Sequence, residues 1–463
     1  MDSDRVLTQV KVTGLLGRFT HTVDFPASDE FVIVHGPNGV GKTMLLELVS
    51  AVAWPIDFGA LGRVPFEAMR LQFDDGAVLT VQRTGPRAAA DDSEGSSALD
   101  SQLVTMRSLS FSLVPNPHSG AINWSPWSSF SDTANSSHNF ARLISRERLS
   151  VSERRMRNYL VHSPQGAESF LFDTLHSQGV PQELMDALIE QLPVEMREVL
   201  TGLVVHSIDT HRLLGLTGGE EPWNQNRQRS SRTKVEELAS DLAQRLAKEL
   251  AENSRTSQEL DRTYPQRLLE NPAVAVSEQE IRDRYDAQND LRRQLGDISL
   301  DDARTSVIEI PERMEKWQRS VLWTYLGDTE AKLATFRDIL DRVSRLREIV
   351  NRRFLFKHLE IDRERGFRLV SDDGHDLDLA SLSSGEQHEL VLAYDLLFNV
   401  PHGALVLIDE PEISLHVSWQ KGFIADLRAI ASLVRFRTIV ATHSPQIAGK
   451  WADRMVVLGP TAE

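Results

Sequence analysis

The stretch Gly36–Thr43, GPNGVGKT, follows the apolar run Phe31–His35 and opens the helically spaced run Thr43–Trp54. It matches G-x-x-x-x-G-K-[ST] at every fixed position, between a strand pattern and a helix pattern, which is the context that motif requires. Gly36, Gly39 and Gly41 allow successive backbone N–H groups to turn inward around phosphate oxygens, with Pro37, Asn38 and Val40 completing the loop. The helix start adds a partial positive charge. In this reading Lys42 reaches the β- and γ-phosphates and the Thr43 hydroxyl binds Mg²⁺. A glycine-rich turn with a solvated lysine would not need these flanks.

Chemistry that would act on a bound phosphate lies at the other end of the chain. ALVLIDEPEISLH (Ala404–His416) is an apolar strand that ends on Asp409 and Glu410. In a parallel sheet, ligands bind beyond the carboxyl ends of strands. Asp409 there fits a metal-side carboxylate, and Glu410 a general base that polarises the attacking water. TIVATHSPQIA (Thr438–Ala448) is a second buried strand, ending at His443, which can donate a hydrogen bond to a γ-phosphate oxygen or position water. SLSSGEQHEL (Ser381–Leu390) reads as a turn at a helix N-terminus, with Ser384 and Gln387 spaced as a capping box. Such a turn can present N–H groups and a hydroxyl to an anion.

Taken in order, GPNGVGKT, LSSGEQ, LVLIDEPEISLH and ATHSP resemble the ABC-type ATPases, within them the RecF/SMC/OLD-like "AAA family" ATPases of bacteria. The resemblance spans nearly the whole chain. It implies ATP as substrate, Mg²⁺ as cofactor, and a homodimer of heads closing around nucleotide, with a higher oligomer open. It implies that Ser383, Ser384, Gly385, Glu386 and Gln387 form the signature turn, with Ser383 and Gly385 meeting the partner protomer's γ-phosphate. It further implies that Ser414 lies along the dimer seam and that His443 is the switch histidine. The family's glutamine-bearing loop has no glutamine here. LTGLVVHSIDTHRLL (Leu200–Leu214) is the best counterpart, with Asp209 or His211 as substitutes. The chain continues only to Glu463 after His443, so the nuclease domain of the OLD-like branch is not expected on it.

The pattern between the motifs sets the expected architecture: an α/β, ABC-type P-loop head with a mixed central sheet and an antiparallel β subdomain, interrupted by a helical or short coiled-coil arm. LTQVKVTGLL and HTVDF alternate like strands, and Phe66–Gly85 reads as a hairpin turning at Asp75-Gly76. Val235, Leu238, Leu242, Leu246 and Leu250 form one helical stripe. Pro265, Pro272 and Pro311 are expected to interrupt the helices, and Gly327 to break the run Met314–Val350. The run near residues 200–212 reads as a strand leading to a polar turn, a candidate for the main sheet, and Lys357–Leu379 as a hairpin. The expected division is 1–139, 140–353 and 354–463.

Composition narrows the class. No window nears the roughly 18 apolar residues of a membrane span. The N-terminus has no signal-peptide core, and the absence of cysteine fits a reducing cytosol, so a cytoplasmic protein without membrane contact is expected. A net charge of −16 argues against a protein that coats nucleic acid, though local basic strips remain compatible. Two occur: Arg142, Arg146, Arg148, Arg154, Arg155 and Arg157, then Arg342, Arg345, Arg347, Arg352, Arg353 and Lys357. They could grip DNA backbones or form solvated helix faces. His138, His162 and His176 lack metal-ligand spacing. The compact size resembles the ATPase subunits of Septu- or PARIS-type anti-phage systems, which implies control of a separate effector, a nuclease encoded nearby. A RecF-like repair clamp is the alternative, and a transporter ATPase subunit a third.

Overall fold

The computed structural model describes residues 5–25, 31–83, 108–126, 191–209, 233–270, 276–298, 300, 310–311, 313–413 and 415–459. The chain divides into two compact units: Met1–Thr210 with Pro401–Glu412 and Arg435–Glu463, and His211–Val400 with Ile413–Val434. The expected boundary at 139/140, the strip Arg142–Arg157, His138, His162, His176, His211 and Ser414 lie outside the described residues.

The first unit is built on two sheets. β3 (Phe31–His35), β8 (Val205–Asp209), β12 (Leu405–Asp409), β13 (Arg437–Thr442) and β14 (Met455–Val457) form a five-stranded sheet in the order β14-β3-β13-β12-β8. Every pairing in it is parallel. That explains the unbroken apolar runs in β3 and β12, because strands of such a sheet are buried on both faces. The stretch at Val205–Asp209 therefore does belong to the main sheet.

The second sheet is antiparallel, in the order β2-β1-β4-β5-β6-β7. It comprises β1 (Leu7–Leu15), β2 (Phe19–Asp24), β4 (Ala68–Phe73), β5 (Val78–Arg83), β6 (Leu109–Val114) and β7 (Ile122–Trp124). Burial alternates along β6, where Leu109, Phe111 and Leu113 face in. The β4–β5 hairpin turns at Asp75-Gly76 as expected, with Gly76 at φ 83° and Asp75 accepting the Ala77 N–H. One continuous core joins this sheet (Val10, Leu71, Phe111) to helix α1, Lys42–Val52, through Leu45, Leu48 and Val49, and to Leu407 and Ile439 of the parallel sheet. The phosphate-loop helix is thus held by apolar burial along its length.

The second unit is mainly helical. Lys234–Glu270 buries Val235, Leu238, Leu242 and Leu246 of the expected stripe, while Leu250 is only half-buried. Pro265 does not end this helix but lies inside it. A proline there removes one N–H and crowds the preceding turn, and tertiary ties hold the turn in place. Arg267 pairs with the buried Asp328 and donates to the Leu260 carbonyl, while Lys332 donates to Asp261. Gly327 likewise sits inside Lys316–Ala334, a tolerable cost of about 1 kcal/mol for a helical glycine. The break falls instead at Thr335-Phe336, before Arg337–Arg353, where Asn253 donates to the Lys332 carbonyl and to the Thr335 hydroxyl. β9 (Lys357–Asp362), β10 (Gly366–Ser371) and β11 (Asp376–Leu377) form the expected hairpin with a short third strand.

The helix Ser384–Phe398 closes this unit against its neighbours. Its C-terminal carbonyls are capped by arginines, Arg342 on Leu397 and Arg245 on Phe398, which also suits the negative end of the helix dipole. Its buried Glu389 pairs with Arg353, and Arg353 also pairs with Asp426 of Val417–Val434.

Candidate active site

Register decides where the site lies. Ala441 stands opposite both Val34 and Asp409, so β3, β13 and β12 end at one level. The chain leaves β3 into the phosphate loop, β12 into Glu410 and β13 into His443. Because β13 lies between the other two strands, His443 is delivered between the phosphate loop and the acidic pair. Asp209 pairs with Asp409 in the same row.

The phosphate loop is shaped by its glycines and by two packing contacts. Gly39 and Gly41 take φ of 78° and 92°, and Gly41 caps α1. A Cβ on Gly39 would meet nothing within 4 Å, whereas one on Gly36 would stand 2.4 Å from the Leu458 carbonyl oxygen. Gly36 therefore serves close packing against the segment after β14, a role the motif alone does not suggest. Val40 is buried, while Pro37, Asn38 and Gly39 are exposed and available to a ligand. Sequence reasoning missed His21: buried on β2, its Nε2 lies 2.8 Å from the Val40 carbonyl oxygen and ties the loop to the antiparallel sheet. No spacing in the sequence links the two residues.

Lys42 is buried; its Nζ donates to the carbonyls of Gly36 (3.0 Å) and Pro37 (3.3 Å) and lies 2.5 Å from His443 Nε2. Burial pushes its ammonium below the usual lysine value, while Glu410, Asp409 and Glu412 pull it back up. The same His443 Nε2 lies 3.3 Å from Glu410 Oε1. A neutral imidazole nitrogen can accept from Lys42, and a protonated one can donate to Glu410, but one nitrogen does not do both. Glu410 adopts φ 46°, the left-handed region that a bulky residue seldom enters, and its N–H donates to the Ala441 carbonyl (2.9 Å). Strain of this kind, of order 1–3 kcal/mol, persists where the surroundings over-determine it. A third acid, Glu412, also unmarked by the motif reading, accepts from the backbone of His443 (2.6 Å).

The donor set suits Mg²⁺ with phosphate. Thr43 is exposed in the first turn of α1, and Asp409 closes β12. No cluster of three or more His, Asp or Glu side chains that could hold a metal exists among the described residues. Mg²⁺ beside nucleotide is ordinarily held by one or two carboxylates, a hydroxyl and substrate oxygens, the donor types that Thr43 and Asp409 offer.

The signature turn lies in the second unit. The N-cap of its helix is Ser383, paired with Glu386 in a full capping box, and not Ser384 with Gln387 as the spacing suggested. Gln387 instead donates to the Leu382 carbonyl (2.9 Å). Ser383 Oγ lies 2.9 Å from Glu386 Oε2, and Lys357 donates to the same carboxylate (3.0 Å). Burial alone would push Glu386 up, but the Ser383 amide, Lys357 and the Ser383 hydroxyl outweigh it and hold the carboxyl below its ordinary range. Ser384 begins the helix, Gly385 follows it, and a Cβ on Gly385 would reach the Trp419 ring at 3.8 Å.

The family described as "AAA domain, putative AbiEii toxin, Type IV TA system" matches residues 233–448. Beside that match, the parallel sheet of the first unit places a complete phosphate loop, His443 and the Asp409-Glu410 pair side by side, and the second unit carries the LSSGEQ helix. The fold is that of an ABC-type P-loop ATPase head. The chain is 33% identical over 103 residues to the Retron Ec83 probable ATPase of Escherichia coli, covering 20% of this chain and 19% of that one. It is 32% identical over 110 residues to the hemin import ATP-binding protein HmuV of Shewanella denitrificans, covering 22% and 43%. The aligned stretches thus span less than half the length of these curated relatives. Among solved structures, an Smc head domain with an extended coiled coil bound to the C-terminal domain of ScpA, from Pyrococcus furiosus, aligns over 98% of this chain and 94% of that one, with 13% identity and a TM-score of 0.31. An SmcHead bound to the C-winged helix domain of ScpA aligns over 97% and 94%, with 9% identity and a TM-score of 0.34. No helix among the described residues is long and apolar enough to cross a membrane.

Proposed function

We propose that the ATPase head hydrolyses ATP between two paired copies and that this cycle controls a separate effector, a nuclease, in a bacterial anti-phage system. The observation that carries the hydrolytic part is the convergence of Lys42, Glu410 and His443 at adjoining strand ends. In this reading Lys42 exchanges its carbonyl partners for β- and γ-phosphate oxygens, and loop N–H groups bind the rest of the phosphate chain. Mg²⁺, held through Thr43 and Asp409, would neutralise charge on the phosphates. Glu410 takes the proton of the attacking water, and His443 contacts the γ-phosphate side. Ser383 and Gly385 complete the partner's site. Ser383 must then turn its hydroxyl from Glu386 to phosphate, while Glu386 keeps Lys357 as its counter-ion.

The defence assignment is supported by similarity to the retron ATPase and to the AbiEii-type family. The HmuV similarity is of equal strength and favours the transporter reading. A RecF-like clamp would need cations free for DNA. Each cation of the strip Arg342–Lys357 instead has a partner in its own chain: Asp338 and Leu397 for Arg342, Glu348 for Arg345, Asp297 for Arg347, Asp426 for Arg352, Glu389 for Arg353 and Glu386 for Lys357. The strip Arg142–Arg157 lies outside the described residues, and the proposal does not rest on DNA contact.

Affinity purification from cells carrying the neighbouring genes is the discriminating experiment. Recovery of a nuclease whose toxicity depends on intact Lys42 supports the defence reading. Recovery of a membrane permease, or of the ATPase alone on DNA, overturns it.

A further inference from the structure

Glu412 gathers the turn that carries His443. Its Oε1 accepts the backbone N–H groups of His443 (2.6 Å) and Ser444 (3.2 Å), and its Oε2 accepts the Thr442 hydroxyl (2.8 Å). Thr442 is fully buried, and its hydroxyl accepts the Ser444 N–H as well (2.9 Å), so the far end of this arrangement is anchored in the sheet. Glu412 itself lies in the short turn Pro411–Ile413, directly after Glu410, whose own N–H is bonded to Ala441. One carboxylate therefore ties the end of β12 to the end of β13. Bonds from N–H to a carboxylate are roughly twice as strong as neutral ones.

We propose that Glu412 is a positioning residue for hydrolysis, holding residues 442–444 so that the His443 ring stands between Lys42 and Glu410. The inference rests on the reading of His443 given above and names what orients it. Glu412 also stands among the acids that pull the Lys42 ammonium up, so the test separates its hold on the turn from its charge.

The test compares Glu412→Ala, Glu412→Gln, His443→Ala and the double variant Glu412→Ala/His443→Ala. Single-turnover ATP hydrolysis is measured in each, with binding of a non-hydrolysable ATP analogue and thermal melting as controls. Glu412→Ala is expected to slow hydrolysis on the order of 10–100-fold, the scale of an ångström-level misplacement, with analogue affinity retained. Glu412→Gln should keep most of the rate, because its amide oxygen can take the two N–H donors while its NH₂ donates to Thr442. The double variant should be no slower than His443→Ala alone. Should Glu412→Ala fail to fold, Glu412→Asp, shorter by one methylene, is expected to show the same loss. Wild-type hydrolysis in Glu412→Ala beside a slow His443→Ala would overturn the proposal alone. Equal loss in the Gln and Ala variants would assign the effect to charge, and full additivity in the double variant to a separate route; either overturns it. Wild-type hydrolysis in His443→Ala would overturn the reading of His443 itself, and the proposal with it.

Discussion

His443 Nε2 stands 2.5 Å from Lys42 Nζ and 3.3 Å from Glu410 Oε1, so a single atom faces a cation and an anion. Which neighbour it serves depends on its proton, and that choice belongs to the residue scale. Lys42→Ala is expected to abolish nucleotide binding in an equilibrium fluorescence titration. Glu410→Gln should still bind ATP while single-turnover hydrolysis falls about 10²–10⁴-fold, the usual contribution of a general base. Hydrolysis at the wild-type rate in that variant would remove Glu410 from the role. The loop glycines separate by geometry in the same way. Gly36→Ala places a methyl 2.4 Å from a backbone oxygen and should cost about 1–3 kcal/mol in thermal unfolding. Gly39→Ala meets open space and should cost only about 1–2 kcal/mol, for its left-handed backbone.

At the scale of elements, the second unit is held by charges placed where helices end or meet. Arg353 joins Arg337–Arg353 to Glu389 on Ser384–Phe398 and to Asp426 on Val417–Val434. Arg353→Met would leave two acids facing each other out of water, and is expected to cost about 3–5 kcal/mol in chemical denaturation. Burial pushes the Glu389 carboxyl up to about 7, with Asp426 adding to the rise and Arg353 opposing it. Raised above its value in the unfolded chain, this group favours the native state fully at low pH. That contribution is lost as pH climbs through about 7. The melting temperature should therefore fall between pH 5 and 8 in the wild type and fall less in Glu389→Gln. Equal slopes would show that Glu389 is already ionised throughout. The cations of the strip Arg342–Lys357 each have a partner within this unit. The near partners Asp338 and Glu348 follow from helical spacing, whereas Asp297, Leu397, Glu389, Asp426 and Glu386 lie far along the chain and do not.

For the whole molecule, the open question is pairing. Lys42, Glu410 and His443 belong to one unit, and the LSSGEQ turn to the other. The ATPase proposed above uses the turn of one copy on the nucleotide of its partner. Glu410→Gln should form a stable dimer with ATP and Mg²⁺ in size-exclusion chromatography with light scattering. Adding Ser383→Arg should leave ATP bound but the protein monomeric, because the large cation also displaces the capping box. Dimers that persist in that double variant would return LSSGEQ to the role of a helix cap.

The phosphate loop, the acidic strand end, the switch strand and the order of strands and helices were legible in the sequence, because each rests on local chemistry: glycine spacing, runs of apolar residues, a helix start. Tertiary structure alone decided the rest. Pro265 and Gly327 were absorbed into helices because contacts from elsewhere in the unit outweighed their local cost. Ser383 displaced Ser384 as the cap because Lys357 steadies Glu386. His21 and Glu412 entered the site only through tertiary contact: His21 reaches the Val40 carbonyl from a strand of the other sheet, and Glu412 reaches the His443 amide from the turn after β12, and no spacing along a sequence records either.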